Sequence, residues 1–415
     1  MQKDKEIYDV IVVGGGASGM MAAGKATSLG KRVLLLEKNK TLGQKLRITG
    51  GGRCNITNAT YDTRKLLENY GVAAPFLSSP FSQFGVKDTF EFFESLGLPL
   101  IVEERNRAFP RTEKATDVVN ALMKYMKQGK VTIKSGTPVK NIIHKNGKVE
   151  SVAAGGVTYQ AASYILATGG MSHPETGSTG DGFNWLRELG HTVKAPTPSI
   201  VPVEVADKWV HKLSGRAMNN MKITFYLEGK KQLVQSGRIL FTHFGLSGPL
   251  ILNNASKVGS WLESGTVTAI IDAYPDLDIG TLDHKLTEIF DKNKNKILKN
   301  ILRDIVPEGT APGIAMLLND LDMETKVHSI TRTQRRKIVD TLKALPVRVT
   351  NLMGYDKAVV ADGGVVLSEV DTKTMRSKIL SNLFITGDLL DINRPSGGYS
   401  LQVCWTSGFV AGKNA

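Results

Sequence analysis

Tyr8–Val13 is an unbroken, mostly apolar run, the pattern of a strand buried on both faces. Glycines follow at 14, 15, 16 and 19, and Met20–Leu29 reads as a helix of small residues that Gly30 ends. Val33–Leu36 is a second buried strand closed by Glu37, so the chain opens with a complete strand–helix–strand unit. Further strands are expected at 131–133, 149–152 and 164–167, and again at Leu383–Thr386. The texture changes between about 196 and 350. Pro196, Pro198 and Pro202 open a stretch of strands such as Lys222–Leu227 and Val267–Ile271, residues 280–344 are helical and lysine-rich, and Pro346–Val349 returns to the sheet. There are no repeats and no low-complexity segment. The pattern predicts an α/β protein with a discontinuous Rossmann-like domain at 1–195 and 350–415. A β-rich insertion at 196–279 and 345–349 would carry a basic helical subdomain at 280–344.

Composition narrows this only a little. With 41% hydrophobic and 22% charged residues in 415, disorder, collagen and coiled coil are excluded. Two cysteines, Cys54 and Cys404, exclude a disulfide framework and a cysteine-rich metal site, and without a C-x-x-C there is no dithiol redox motif. Residues 1–8 lack the apolar core of a signal peptide, and Ile239–Ser256 is too broken by glycine, proline and asparagine to span a membrane. A reducing, cytoplasmic setting is expected. Two excesses carry more information: 42 glycines, and 53 basic against 39 acidic residues for a net +14, which favours polyanionic partners.

Much of the glycine excess falls where chemistry needs it. Gly14-x-Gly16-x-x-Gly19 lies between a strand and a helix, where the first glycine permits the turn, the second admits a pyrophosphate and the third allows close packing. The helix N-terminus then offers free N–H groups to phosphate. Glu37, 23 residues after Gly14, is placed to accept from ribose hydroxyls, so an adenine dinucleotide site is expected.

Three later segments favour a flavin over a plain nicotinamide site. Lys45, Thr49, Gly50, Gly51, Gly52, Arg53 and Cys54 form a basic, glycine-rich loop suited to a backbone running close to a flavin and its phosphates. Near the C-terminus Gly387 and Asp388 come after a buried strand, where an aspartate can hold a ribityl chain. Gly397, Gly398, Tyr399 and Ser400 then open an apolar helix whose positive end would favour an anionic reduced flavin. No second G-x-G-x-x-G follows a strand, so a dedicated NAD(P)H domain is not expected. The flavin would then be reduced by NAD(P)H docking directly on the ring as a transient reductant, or by the substrate itself.

These motifs, together with Thr168-Gly169, the Thr176–Gly182 segment containing Asp181, and Phe241–Pro249, resemble one family. It is the bacterial flavoprotein family of bile-acid-inducible reductase and aminoacetone oxidase type, which includes a ribosomal RNA dihydrouridine synthase. The resemblance spans essentially the whole chain. It implies a glutathione-reductase-like FAD domain with an inserted β-barrel-like domain and a helical subdomain, and non-covalently bound FAD. It places Gly14, Gly16, Ser18 and Gly19 at the pyrophosphate, and Glu37 and Lys38 at the adenosine ribose. Lys45, Thr49, Gly51, Arg53 and Cys54 would line the flavin approach, Asp388 the ribityl chain, and Gly398, Tyr399 and Ser400 the pyrimidine edge. Cys404 departs from the pattern, because small residues and no thiol are expected after Ser400.

Acid–base candidates are Cys54, His243 and Tyr399, with His173 as a loop residue near the Ala167-Thr168-Gly169 strand end. Basic residues cluster within the insertion. Lys292, Lys294, Lys296, Lys299 and Arg303 face one local acid, and Arg332, Arg335, Arg336 and Lys337 face none; a third group runs from Lys208 to Arg238. Such clusters suit an RNA substrate, with Trp209, Phe241 and Phe244 available to hold an unstacked base. Reduction of a uridine C5=C6 bond in large-subunit ribosomal RNA is one expectation. A small-molecule amine oxidase or steroid enone reductase, and a flavin-bearing RNA-binding protein without turnover, are the others. Nothing in the chain indicates an oligomeric state.

Overall fold

The apolar runs pair with one another, as burial on both faces requires. The computed structural model describes residues 8–415, so the expectation about a leader at 1–7 lies outside the described residues. The chain divides into two compact units, 1–198 with 359–415, and 199–358.

In the first unit β1 (Tyr8–Val13) leads into α1 (Ala17–Ser28) and β2 (Val33–Leu36). After α2 (Ala115–Gln128) come β3 (Thr132–Lys134), β4 (Ala161–Leu166) and α3 (Asp181–Glu188), and the unit closes with β5 (Leu383–Ile385) and α4 (Tyr399–Asn414). The sheet runs β5-β4-β1-β2-β3 with every neighbour parallel. Val12 stands opposite Leu35 on one side and Ile165 on the other, so the apolar run is covered from both edges. α4 lies against α1 on a stripe of small residues, where a Cβ at Gly408 or Gly412 would run into the backbone of Ser18 or Ala22. The small residues expected after Ser400 therefore come two turns further along the helix.

The second unit is built round a closed barrel of six strands. In spatial order they are Val203–Val205, Gly245–Ser247, Lys230–Phe241, Ala217–Leu227, Val267–Asp272 and Leu345–Leu352, all antiparallel. Leu298, Ile301, Leu302 and Ile305 recur at helical spacing and are buried. With Leu282, Leu286 and Ile338 they join Ile223, Phe225, Phe241 and Val347 in one apolar core. The basic helices thus share the barrel's core instead of forming a body of their own. The unit's two ends meet, since Val203 pairs with Leu352 and the Met353 N–H donates to the Pro202 carbonyl at 3.0 Å.

Candidate functional site: a dinucleotide cleft in the first unit

The three fingerprint glycines have separate physical reasons. Gly14 has φ +107°, a conformation only glycine adopts freely, and a Cβ on Gly19 would strike the Gly14 carbonyl oxygen. Those two serve the turn and the packing of α1. Gly16 differs: its backbone is extended, it caps α1 without a side-chain bond, and nothing lies within 4 Å of where its Cβ would stand. That open space in front of the helix N-terminus is where a pyrophosphate fits.

The cleft that begins there spans about 1170 Å³, the solvent at its open mouth included, and is lined by residues of the first unit throughout. Glu37, at the end of β2, is buried, and its carboxylate accepts from the Gly15 N–H at 2.6 Å and the Asn39 N–H at 2.7 Å. Across the mouth Lys38 Nζ donates to Thr179 Oγ1 at 2.5 Å and to Asp181 at 2.9 Å. Against the cost of burial, the bonds from Lys38 and Thr179 hold the Asp181 carboxyl below the usual range. Asn39 Nδ2 also donates to the Thr176 carbonyl, so the 176–181 loop is tied to the exit of β2.

The other end of the cleft is ionic. Asp388, just after β5, accepts from Lys45 Nζ at 3.1 Å on one oxygen and from Arg394 Nη2 on the other. Burial works against its charge, but Lys45 and Arg394 outweigh that and hold the carboxyl down to about 2. Lys45 also donates to Ser172 Oγ at 2.8 Å, and Arg394 donates to Ser400 Oγ at 3.1 Å and to the Ile392 carbonyl. Thr168 Oγ1, on a lining residue, is buried with no protein partner among the described residues, so it stands ready for a ligand atom. A turn of free N–H groups, room at Gly16, a ribose-height carboxylate, an orphan hydroxyl and a fixed anion for hydroxyls form a donor and acceptor set that fits FAD.

Of the residues singled out from sequence, the structure gathers Gly14, Gly16, Ser18, Glu37, Lys38, Lys45, Thr49, Thr168, Gly169, Asp181, Asp388 and Ser400 in the cleft wall. Gly19 and Gly387 stand behind it; a Cβ at Gly387 would meet Ser18 Oγ at 2.8 Å. Gly398 packs on the Thr57 backbone, and Tyr399 is half-buried, its ring edge-on to Tyr70 at 5.9 Å.

Arg53 corrects an expectation. Its guanidinium lies over Phe109 and pairs with Glu103 and Glu113, so its charge is spent on two carboxylates and not offered to phosphate. Gly51 and Gly52 are exposed beside it in left-handed conformations. Cys54 is fully buried, hydrogen-bonded to Thr49, and burial pushes its thiol up to about 12, which leaves it a poor acid. His243 belongs to the second unit, exposed and edge-on to Phe244. His173 pairs with Glu175 at 2.8 Å. Cys404, without an assignment in the sequence, lines the cleft near Asp388.

Arg394 was missed altogether. Its only signal was that no other basic residue occurs between Lys378 and Lys413. Outside the cleft, the basic clusters are less free than they read. Arg335 makes two bonds to Asp283 at 2.8 and 3.0 Å, Arg336 pairs with Asp340 and Lys337 with Asp320, while Lys294 pairs with Asp291 and Lys299 with Glu324. Asp283, Asp320 and Glu324, distant in sequence, and Asp340, one helical turn on, supply the partners that a local count omitted. Among the described residues Lys292, Lys296, Arg303 and Arg332 have no ion pair.

A parallel Rossmann-type sheet, this cleft and a closed barrel in a separate unit define an FAD-dependent oxidoreductase. More narrowly, the chain belongs to the HI0933-like protein Rossmann domain family, which matches residues 8–414. It is 29% identical over 407 residues to the 3-dehydro-bile acid delta(4,6)-reductase of Clostridium scindens, covering 97% of this chain and 98% of that protein. It is 26% identical over 409 residues to the ribosomal RNA dihydrouridine synthase of Escherichia coli, covering 99% and 98%. Among solved structures, the 3-ketosteroid delta1-dehydrogenase of Sterolibacterium denitrificans shares the fold with a TM-score of 0.54 at 14% identity, over 98% of this chain and 99% of that one. Among the described residues no helix is long and apolar enough to cross a membrane.

Proposed function

We propose that the chain reduces a carbon–carbon double bond conjugated to a carbonyl, and that its substrate is the C5=C6 bond of a uridine in large-subunit ribosomal RNA. The observation that carries this reading is full-length similarity to relatives named for such reductions, two of them ribosomal RNA dihydrouridine synthases. A bile-acid-type enone is the second reading, favoured by the 29% relative. Bound FAD supplies hydride exchange at its flavin ring. The chain's own residues hold and orient it: the α1 N-terminus and Gly16 receive the pyrophosphate, and Glu37 the ribose. Asp388, kept ionised by Lys45 and Arg394, accepts from the ribityl hydroxyls, and Ser400 meets the ring edge. NAD(P)H is the electron donor in this reading, docking directly at the flavin, and the setting is cytoplasmic.

Two measurements test it. Gly16→Ala fills the space kept for phosphate without touching protein, so the variant purifies with at least tenfold less FAD while its apo form melts with the wild type. Equal FAD content overturns the cofactor assignment. For the substrate, ribosomal RNA from a strain lacking the gene loses one dihydrouridine by mass spectrometry. RNA that keeps its full content overturns the RNA reading, and reoxidation of the reduced protein by a steroid enone alone selects the second.

A further inference from the structure

Arg394 is 2% exposed and lies just before the glycines that open α4. A guanidinium cannot neutralise by losing its proton, so burying one requires a use for its charge. A single carboxylate, Asp388, is at hand, and Lys45 already shares it. The two cations and one anion in direct contact carry one net positive charge between them. The first turn of the 16-residue α4 adds its own positive end there, because Ser400 is the acceptor of Arg394 Nε. The other titratable groups in range are Cys404, Tyr70 and Tyr399, a thiol and two phenols that burial keeps protonated at neutral pH. The further buried carboxylate of this region is Asp362, which accepts from Asn393 Nδ2 at 2.9 Å.

We infer that Arg394 is a positioning residue for the reduced cofactor: it gives the corner its net positive charge, so that the ring is held as the anion after taking up hydride and its reduction potential is raised. The inference rests on the FAD reading above. Arg394 also fixes Ser400 as an acceptor towards itself, which leaves the Ser400 proton to be donated into the cleft. In redox terms, two electrons and one proton enter as hydride, and the second proton stays off the ring. Arg394→Gln leaves Lys45 and Asp388 as a balanced pair, which the fold tolerates better than loss of Asp388.

The experiment is a dithionite titration of the FAD-loaded protein against indicator dyes, at several pH values. Arg394→Gln is expected to keep its FAD but to weaken the preference for the reduced form at least tenfold, a drop of about 30 mV for a two-electron couple. Its potential is also expected to fall about twice as steeply with pH near neutrality, as the second proton is taken up. Arg394→Lys, which keeps the charge and loses the fork, stays near wild type in both. An unchanged potential and slope in Arg394→Gln overturns the inference, and so does Arg394→Lys falling as far as Arg394→Gln. If Arg394→Gln does not fold, Lys45→Gln neutralises the same corner: the same drop supports the inference and an unchanged potential overturns it. A wild-type chain that takes up no FAD overturns the cofactor reading itself, an outcome distinct from FAD bound at an unaltered potential.

Discussion

Asp388 holds its charge because of two residues far apart in sequence, Lys45 and Arg394. Its folded carboxyl titrates at about 2 against an ordinary 3.8, so its contribution to stability is fully present above about pH 4 and is lost as pH falls towards 2. Asp388→Asn leaves buried Arg394 and half-buried Lys45 without their counter-charge, at a cost of about 2 kcal/mol near neutrality. The expected result is a lower melting temperature at pH 7 and a gap from wild type that closes between pH 4 and 2, read by thermal melts across that range. The fingerprint glycines and Glu37 were legible beforehand because their roles depend on local spacing. Arg394 was not, since its role depends on burial and on a lysine more than three hundred positions away.

Helix packing sets the shape of the cleft. α4 delivers Ser400 and Cys404 to the wall, and α1 presents its N-terminus, so the seam between them fixes both ends of the site. Gly412 lies on that seam, with no room for a side chain against the Ala22 backbone. Gly412→Val is therefore expected to destabilise the apoprotein by about 1–3 kcal/mol, read by urea unfolding, and to loosen FAD retention. Gly16→Ala should separate these effects, since it strikes nothing in the protein. The strands were readable because two-sided burial writes an unbroken apolar run, as in Tyr8–Val13 and Val33–Leu36. The seam was half-read: small residues were expected on this helix, but their position two turns beyond Ser400 depends on where α1 crosses.

Charge has to be judged over the whole molecule. Residues 199–358 carry 22 basic and 17 acidic side chains, a net +5 of the chain's +14, so the insertion is no more basic than its length predicts. Long-range pairing further thins the clusters seen in sequence. Arg335, less than a third exposed like its partner Asp283, acts as a strut between two helices. Arg335→Ala is expected to destabilise the 199–358 unit by about 1.5–3 kcal/mol in urea melts. It should leave the salt dependence of RNA retention unchanged. Neutralising Lys292, Lys296, Arg303 and Arg332 together should do the reverse, flattening that salt dependence without a large loss of stability.

The meeting of Pro202 and Met353 bears on how the protein is made. Residues 199–358 leave the ribosome as one continuous piece, able to close their barrel while β5 and α4 are still unsynthesised. Asp388, Arg394 and Ser400 emerge after the barrel segment, so cofactor capture has to wait for them. Once the barrel has closed, the tether between β4 and β5 shortens to about a third of its length, easing their pairing by about 1 kcal/mol. The segment after the barrel thus decides whether the first unit ever acquires its flavin, however well the barrel has closed.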